Sequence, residues 1–335
     1  MTIINGIEID NIEFTYNDIK TAIQINDPIE SHLHCIMVIS NPCMYARRYI
    51  LAREFIKRME YEENIKLYIV ELAYGNMDYY VTDPKNPMHL QLRAGMDQVL
   101  WHKENMINIG VRKLLPKTWK AMAWIDADIE FDNSSWALDT LKILNGCKDI
   151  VQIFSHAVDM DKHCNAMNIY PSFGFQYTKK RPYGLTGNNF WHPGFAWAMT
   201  RKAYDKVGGL YDVSILGSGE HNMAFALLGN GIKSLNNYTT DGYKMSVLEF
   251  EKKCIGLRLG YVPGVIRHYF HGSKKNRKYM ERWMILVDNK YDPYIHVTKN
   301  KDGLLVPTKE CPQQLSDSIM QYFSERNEDE GYNSA

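Results

Sequence analysis

The sequence predicts an α/β protein, a mostly parallel sheet with helices packed on both faces, on three observations. Several short runs (35–39, 67–70, 121–125 and 149–154) are apolar at nearly every position instead of every second one, the signature of strands covered on both sides. Helical patterns separate them, near 46–59, 97–115 and 135–144, and such alternation builds a covered parallel sheet. The chain has 335 residues, 45% hydrophobic and 23% charged, which is ample for a deep core and unlike a disordered composition.

The elements follow in order. Residues 1–30 read as an accessory piece with a small hairpin, because the Asn5-Gly6 pair between two isoleucine-rich stretches supplies the positive φ angles of a tight turn. A first strand at 35–39 runs into Ser40-Asn41-Pro42 and a helix at 46–59. A second strand at 67–70 is closed by Glu71. The helix at 97–115 precedes the third strand, 121–125, and the helix at 135–144 precedes the fourth, 149–154. Residues 157–193, rich in Asn, Gly, Pro, Tyr and His, show no period and read as functional loops. A short strand at 195–199, a helix at 201–207, a glycine-punctuated turn, a helix from about Gly219 and a last strand at 261–266 complete a single domain spanning 31–290. Residues 291–335 form a C-terminal extension, whose polar, acidic end from 324 onward reads as a frayed tail.

Charge and composition exclude some functions. Lys plus Arg equals Asp plus Glu at 39 each, so the chain lacks the cationic surplus of a general nucleic-acid binder, although Lys179-Lys180-Arg181 and the run from Lys274 leave room for a local phosphate patch. The six cysteines form no C-x-x-C pair and read as reduced, buried thiols. The N-terminal stretch has no basic region followed by an apolar core, and no apolar run approaches the roughly 18 residues of a membrane span, so the sequence predicts a soluble, cytoplasmic protein.

In open α/β sheets ligands bind beyond the carboxyl ends of the strands. There Asp126-Ala127-Asp128 follows directly on Ile125, and two carboxylates flanking one small residue can face a single hard divalent cation that also binds a diphosphate. Asp159-Met160-Asp161 has the same form but lies in a polar stretch and reads as a surface pair.

Three segments then resemble the metal-dependent glycosyltransferases of the GT-A fold, which use nucleotide-sugar donors. Trp124 to Phe131, WIDADIEF, resembles that family's D-x-D motif at a strand end. His192 to Ala224 is similar to the galactosyl- and N-acetylgalactosaminyl-transferase segment in which a Gly-aromatic strand, a helix and a G-G-x-Y-D turn lead to G-x-G-E. His268 to Lys274, HYFHGSK, is similar to the segment whose histidine completes the metal shell. The resemblance covers roughly residues 33 to 285. It implies a Rossmann-like sheet, a UDP-sugar donor, and Mn²⁺ or Mg²⁺ held by Asp126, Asp128 and a histidine, with Asp128 the direct ligand. An imidazole among the ligands favours manganese over calcium. Between His268 and His271 the sequence favours His271, because Gly272-Ser273-Lys274 lets the backbone turn around a phosphate while Lys274 offers a charge.

Glu220, at the start of a helix in Gly-Ser-Gly-Glu-His, is the candidate general base for an acceptor hydroxyl. His221 replaces the Asp or Asn usual in this segment of the family, so a donor-sugar role for Glu220, and a retaining instead of an inverting reaction, stay open. Candidate donor contacts are Ser40, Asn41, Pro42, Arg47, Glu71, Lys103, Asn108, Ile125, Ala127, Gly194 and Lys274, with Arg48 and Asn105 beside them; Trp191, His192 and His221 are candidates for the sugar or acceptor, whereas Trp197 reads as core. The acceptor itself, whether glycan, protein side chain or hydroxylated base, is not written in the sequence. Two other classes compete. A sugar-phosphate nucleotidyltransferase needs a Gly-rich, Arg-containing loop after the first strand, which Ser40-Asn41-Pro42 does not provide, and a catalytically silent carbohydrate-binding protein has no need to keep Asp126, Asp128, Glu220 and His271 together.

Overall fold

The computed structural model describes residues 3–4, 7–8, 18–184 and 190–331. Two short strands, β1 (Ile3–Ile4) and β2 (Ile7–Glu8), pair antiparallel as the expected hairpin; its Asn5-Gly6 turn lies outside the described residues. The main strands are β3 (Leu33–Ser40), β4 (Ile65–Tyr74), β5 (His89–Ala94), β6 (Ala121–Ile125), β8 (Ile150–Gln152), β11 (Ala196–Thr200) and β12 (Leu259–Tyr261), which form one seven-stranded sheet in the order β12-β8-β11-β6-β3-β4-β5. Only β11 runs antiparallel to its neighbours. This is the mostly parallel, helix-covered sheet expected from the sequence and from the GT-A resemblance.

A second, four-stranded sheet stands beside it in the order β10-β9-β13-β7, made of β7 (Ile129–Phe131), β9 (His156–Met160), β10 (Ala166–Pro171) and β13 (Val265–His268). Strands β14 (Val297–Lys299) and β15 (Leu305–Pro307) form a C-terminal hairpin. The helices in chain order are α1 (Asp18–Ile25), α2 (Ala46–Met59), α3 (Lys103–Leu114), α4 (Trp136–Leu144), α5 (Phe173–Thr178), α6 (Arg201–Val207), α7 (Gly219–Leu227), α8 (Asp241–Cys254), α9 (Arg282–Asp288), α10 (Pro293–His296) and α11 (Gln313–Glu325). No described helix is long and apolar enough to cross a membrane.

Each face of the large sheet has its own core. Phe55 and Ala52 of α2 and Leu141 of α4 cover one side, and Met106 of α3, Tyr243 of α8 and Ile319 and Tyr322 of α11 cover the other, all essentially without solvent contact. Helix α2 begins and ends where its apolar spacing predicts, since Leu51, Phe55 and Met59 recur on one face.

Five expectations are corrected. The single last strand at 261–266 is instead the end of β12 and the start of β13, which belong to different sheets because the chain crosses from one to the other at 262–264. The helix at 97–115 begins only at Lys103, after a 3₁₀ turn over Met96–Gln98, because Trp101 N–H donates to the Ile215 carbonyl and the His102 ring bonds Tyr74 and the Leu305 carbonyl. Tertiary hydrogen bonds thereby interrupt a helical pattern. Strand β4 continues to Tyr74, so Glu71 sits inside it. The stretch 157–193 holds β9, β10 and α5; β10 is half exposed and irregular in register, which is why it lacked an apolar period. The six thiols are free but not uniformly buried, Cys164 being exposed.

Replacing Phe55 by Ala removes a fully buried ring from α2 and should destabilise the protein by about 3–5 kcal/mol, read as a lower urea midpoint with unchanged cooperativity.

Candidate functional site

The register of the small sheet assembles the site. Strand β6 leaves the large sheet at Ile125, the chain turns through Asp126-Ala127-Asp128, and β7 enters the small sheet at Ile129. There β13 pairs with β7 and with β9 so that His268 lies opposite Ile129 on one side and Asp159 on the other. Asp126 N–H donates to the Phe195 carbonyl at 2.9 Å and Tyr269 N–H to the Asp128 carbonyl at 2.8 Å, pinning the acidic turn at both ends. Two histidines 140 and 143 positions away in sequence thus land on one carboxylate: the Asp128 Oδ2 atom is 2.8 Å from His271 Nε2 and 3.7 Å from His268 Nε2.

Asp128, His268 and His271 offer ligand atoms within 4.8 Å of one another, and Asp128 Oδ1 is buried with no hydrogen-bond partner. An orphaned carboxylate oxygen beside two imidazole nitrogens is a donor set that a divalent cation of borderline softness satisfies. Burial opposes the charge of Asp128, but His271 and His268 hold its carboxyl well below the usual range. Burial likewise opposes the His268 cation, yet Asp128 and Asp159 raise that ring to about 9. The sequence favoured His271 over His268; the structure brings both rings to Asp128.

Asp126 turns away from this trio. Its Oδ1 atom is 2.5 Å from Lys103 Nζ at the first position of α3, and the same ammonium lies 3.0 Å from Glu220 Oε1. Trp124, stacked on Trp197 across the β6–β11 pair with ring centroids 6.2 Å apart, donates its indole N–H to the same Glu220 oxygen at 3.0 Å. Both Glu220 Oε1 contacts come from rigid elements, and Oε2 faces Gly194, where an added Cβ would sit 3.4 Å from it. Burial raises Glu220 to about 7, with Lys103 opposing and Asp126 reinforcing the rise. A Cβ at Gly219 would lie 2.4 Å from a Glu104 carboxyl oxygen, so any side chain there would force Glu104 to move.

A cavity of about 190 Å³ opens onto Lys103, Asp126, Asp128 and the two histidines, and Glu220 is not among its lining residues. Val38, Ile39, Leu51, Leu100, Met106 and Phe323 line its apolar side, while Lys103, Arg48, Arg277 and Arg326 bring cationic groups toward Asp126, Asp128 and the two histidines. Ser40 and Ala127 also line it.

Other expected contacts are spoken for elsewhere. Asn41 closes a turn by bonding both the N–H and the carbonyl of Tyr45, and Pro42 lies in that turn away from the cavity wall. Arg47 directs its Nε to the Phe270 carbonyl; its neighbour Arg48 is the one at the cavity. Glu71 accepts from the N–H groups of Tyr80, Val81 and Thr82 and orders that loop. Asn105 and Asn108 bond Asp212 and the backbone at Gly303, Leu305 and Leu210, which joins α3 to the C-terminal part of the fold. The Ile125 side chain is buried in the core. Trp191 packs edge-on against Phe173 and donates to the Pro182 carbonyl, so its faces are not free to stack on a sugar. His192 stacks on Phe195 at 4.2 Å and His221 against Phe225; burial lowers them to about 3 and about 4. Trp197 is core, as expected.

Three readings reverse outright. Asp159, read as a surface residue, is buried and accepts from His268 Nδ1 at 2.7 Å; only Asp161 of that pair is at the surface, where it caps a turn. Lys274 forms an ion pair with Asp159 and bonds Tyr170 at 3.0 Å, so its charge is committed there and not to a phosphate. Residues 324–331 are no frayed tail: Arg326 and Glu328 are buried, and Glu328 Oε2 lies 3.4 Å from His271 Nδ1. Gly272 has φ +83°, and the space of its missing side chain is filled by the backbone of 326–328, not left for a ligand. The sequence signal for this was an Arg-x-Glu pair in an otherwise acidic tail, too slight to find unaided.

No protein-family model matches the chain, and no curated protein matches its sequence. Among solved structures, it is similar to a mutant of Drosophila β1,4-galactosyltransferase 7 in complex with manganese, UDP-Gal and xylobiose, at 10% identity and a TM-score of 0.40 over 86% of this chain and 98% of that one. The catalytic domain of Drosophila β1,4-galactosyltransferase 7 with xylobiose matches at 11% identity and a TM-score of 0.36 over 86% and 98% of the two chains. A putative nucleotide-diphospho-sugar transferase from Desulfovibrio desulfuricans matches at 11% identity and a TM-score of 0.33 over 71% and 82%. These are likenesses of fold alone.

Glu104, beneath Gly219, is raised to about 8 by burial against the opposing pull of Lys103. A carboxyl with a raised folded pKa holds its proton in the fold, so it adds stability below its ordinary value of 4.5 and loses it as pH climbs to about 8. Glu104→Gln should therefore flatten the decline of the melting temperature between pH 5 and pH 9; parallel curves for the two proteins would show that Glu104 does not titrate there.

Proposed function

We propose that the protein is a metal-dependent glycosyltransferase that moves a sugar from a nucleoside diphosphate sugar, a UDP-sugar by the sequence resemblance, to an acceptor hydroxyl. The observation that carries this reading is the trio Asp128, His268 and His271 with its orphaned carboxylate oxygen, set at the wall of a cavity that is apolar on one side and cationic on the other. A divalent cation held by that trio would supply Lewis-acid neutralisation of the departing diphosphate.

The chain's own residues take the remaining roles. The apolar wall around Val38, Leu51 and Leu100 suits a nucleobase, and Arg277 and Lys103 supply N–H donors for phosphate oxygens. Lys103 also keeps Asp126 and Glu220 apart as a shared counter-charge. Glu220 is the general base: Trp124 and Lys103 hold Oε1, which leaves Oε2 to take the proton of the acceptor hydroxyl, and a value near 7 lets it both accept and release that proton near neutrality. Asp126 is then a partner of Lys103 that shapes the acidic turn, and Asp128 carries the ligand role.

Three measurements test this. Asp128→Ala should abolish manganese-stimulated turnover of a UDP-sugar while circular dichroism stays that of the parent; unchanged turnover would remove the cation reading. Glu220→Gln should lower transfer about 10²- to 10⁴-fold with donor affinity nearly intact, and equal losses in both would make Glu220 a donor-binding group. A thermal-shift panel of UDP-, GDP- and TDP-sugars with and without manganese identifies the donor, because a ligand that binds only the folded state raises the melting temperature.

A further inference from the structure

We propose that Asp159 and Glu328 are positioning residues for the two imidazoles, and that the C-terminal segment carrying Glu328 completes the cation site; this rests on the cation reading above. The two rings are set in the same way. Each turns Nε2 toward Asp128, at 3.7 Å for His268 and 2.8 Å for His271, and each turns Nδ1 toward a second carboxylate that is 1% exposed. For His268 that carboxylate is Asp159 at 2.7 Å, a hydrogen bond; for His271 it is Glu328 at 3.4 Å, an approach that sets the negative charge against Nδ1.

The chemistry follows from proton count. A neutral imidazole carries one N–H and one lone pair, and a carboxylate facing Nδ1 favours the proton there. A cation at Asp128 would take the Nε2 lone pair of each ring and leave the proton on Nδ1, facing Asp159 or Glu328. At His271 Nε2 two contacts meet: the Arg277 guanidinium, which can only donate, at 2.7 Å, and the Asp128 carboxylate, which accepts, at 2.8 Å. Carboxylates behind ligating histidines fix ring orientation and raise ligand basicity in this manner.

Glu328 is held for this task from several sides. Arg48 Nη2 donates to Oε1 at 2.8 Å and Arg326 Nε at 2.6 Å, and the Arg326 guanidinium lies over the Trp101 ring at 5.2 Å. One residue on, Asp329 accepts from the Ala46 and Arg47 N–H groups at the start of α2, at 3.0 and 2.8 Å, where the helix dipole favours a negative charge. Asn327 N–H donates to the Tyr45 hydroxyl at 3.0 Å, and the bare Cα of Gly272 lets the backbone of 326–328 approach. Residues 326–329 are therefore clamped between α2 and the segment that carries His271.

The test uses the full chain and manganese alone. Isothermal titration with Mn²⁺ should give about 10- to 100-fold weaker binding for Asp159→Asn and for Glu328→Gln, with no binding for Asp128→Ala. Without metal, imidazole ¹⁵N spectra should report a protonated Nδ1 in both rings of the parent, and the Nδ1 signal should move for His268 in Asp159→Asn and for His271 in Glu328→Gln. Gly272→Ala, which changes no charged group but crowds the 326–328 backbone, should weaken Mn²⁺ binding in the direction of Glu328→Gln and stands in for it if that variant does not fold. If the parent binds Mn²⁺, Asp128→Ala does not, and the Asp159 and Glu328 variants bind as the parent with unchanged ¹⁵N shifts, the proposal is overturned while the cation reading survives. If the parent itself does not bind Mn²⁺, the cation reading fails, and the metal-free spectra alone decide the tautomer assignment: unchanged shifts in the variants overturn it.

Discussion

The arrangement depends on one partly buried carboxylate, Asp128, held between two imidazoles with its buried second oxygen unsatisfied. Burying an unpaired charge is costly, and a fold retains one where surrounding charge compensates it. The compensating charge comes from the histidines of β13 and the residues just after it, and those rings are faced in turn by Asp159 of β9 and Glu328 of the C-terminal segment, all distant in sequence. The small sheet is the device that brings them together, since its register sets Ile129, His268 and Asp159 in one row.

A second charge cluster shares the cavity without merging with the first. Lys103, at the start of α3, neutralises both Asp126 and Glu220, and the Trp124 indole fixes the glutamate from the large sheet. The two acidic residues of the D-x-D turn thereby face different partners although one residue separates them. Asp126 looks along the large sheet toward α3 and α7, whereas Asp128 looks into the small sheet. Lys103 and Asp126 line the cavity, and Glu220 reaches it only through its contact with Lys103.

Much of the fold was legible. Strands β3, β6 and β8 and helices α2 and α4 follow from continuous apolar runs and from helical spacing, because both faces of the large sheet are covered and the burial pattern is strong. The half-exposed strands of the small sheet were not, since β10 has no buried face to impose a period. Of the site, Asp126, Asp128, Glu220 and both histidines were visible as chemistry at element ends. Glu71, Asn105 and Asn108 were misread because a polar side chain has the same appearance in sequence whether it meets a ligand or, as here, orders a loop or joins two segments.

What the sequence determined by itself was the local chemistry: which strands are buried on both sides, and which carboxylates and imidazoles sit where such strands end. Only the tertiary structure decided who partners whom. Register across β7, β13 and β9 turned Asp159 from a surface residue into a buried companion of His268, committed Lys274 to it, and let the chain's last described turn press Glu328 against His271. The physical reason is range: apolar periodicity reports burial over a few residues, whereas the pairing of charges separated by more than a hundred positions is set by strand register and by the close packing of backbone against backbone at Gly272.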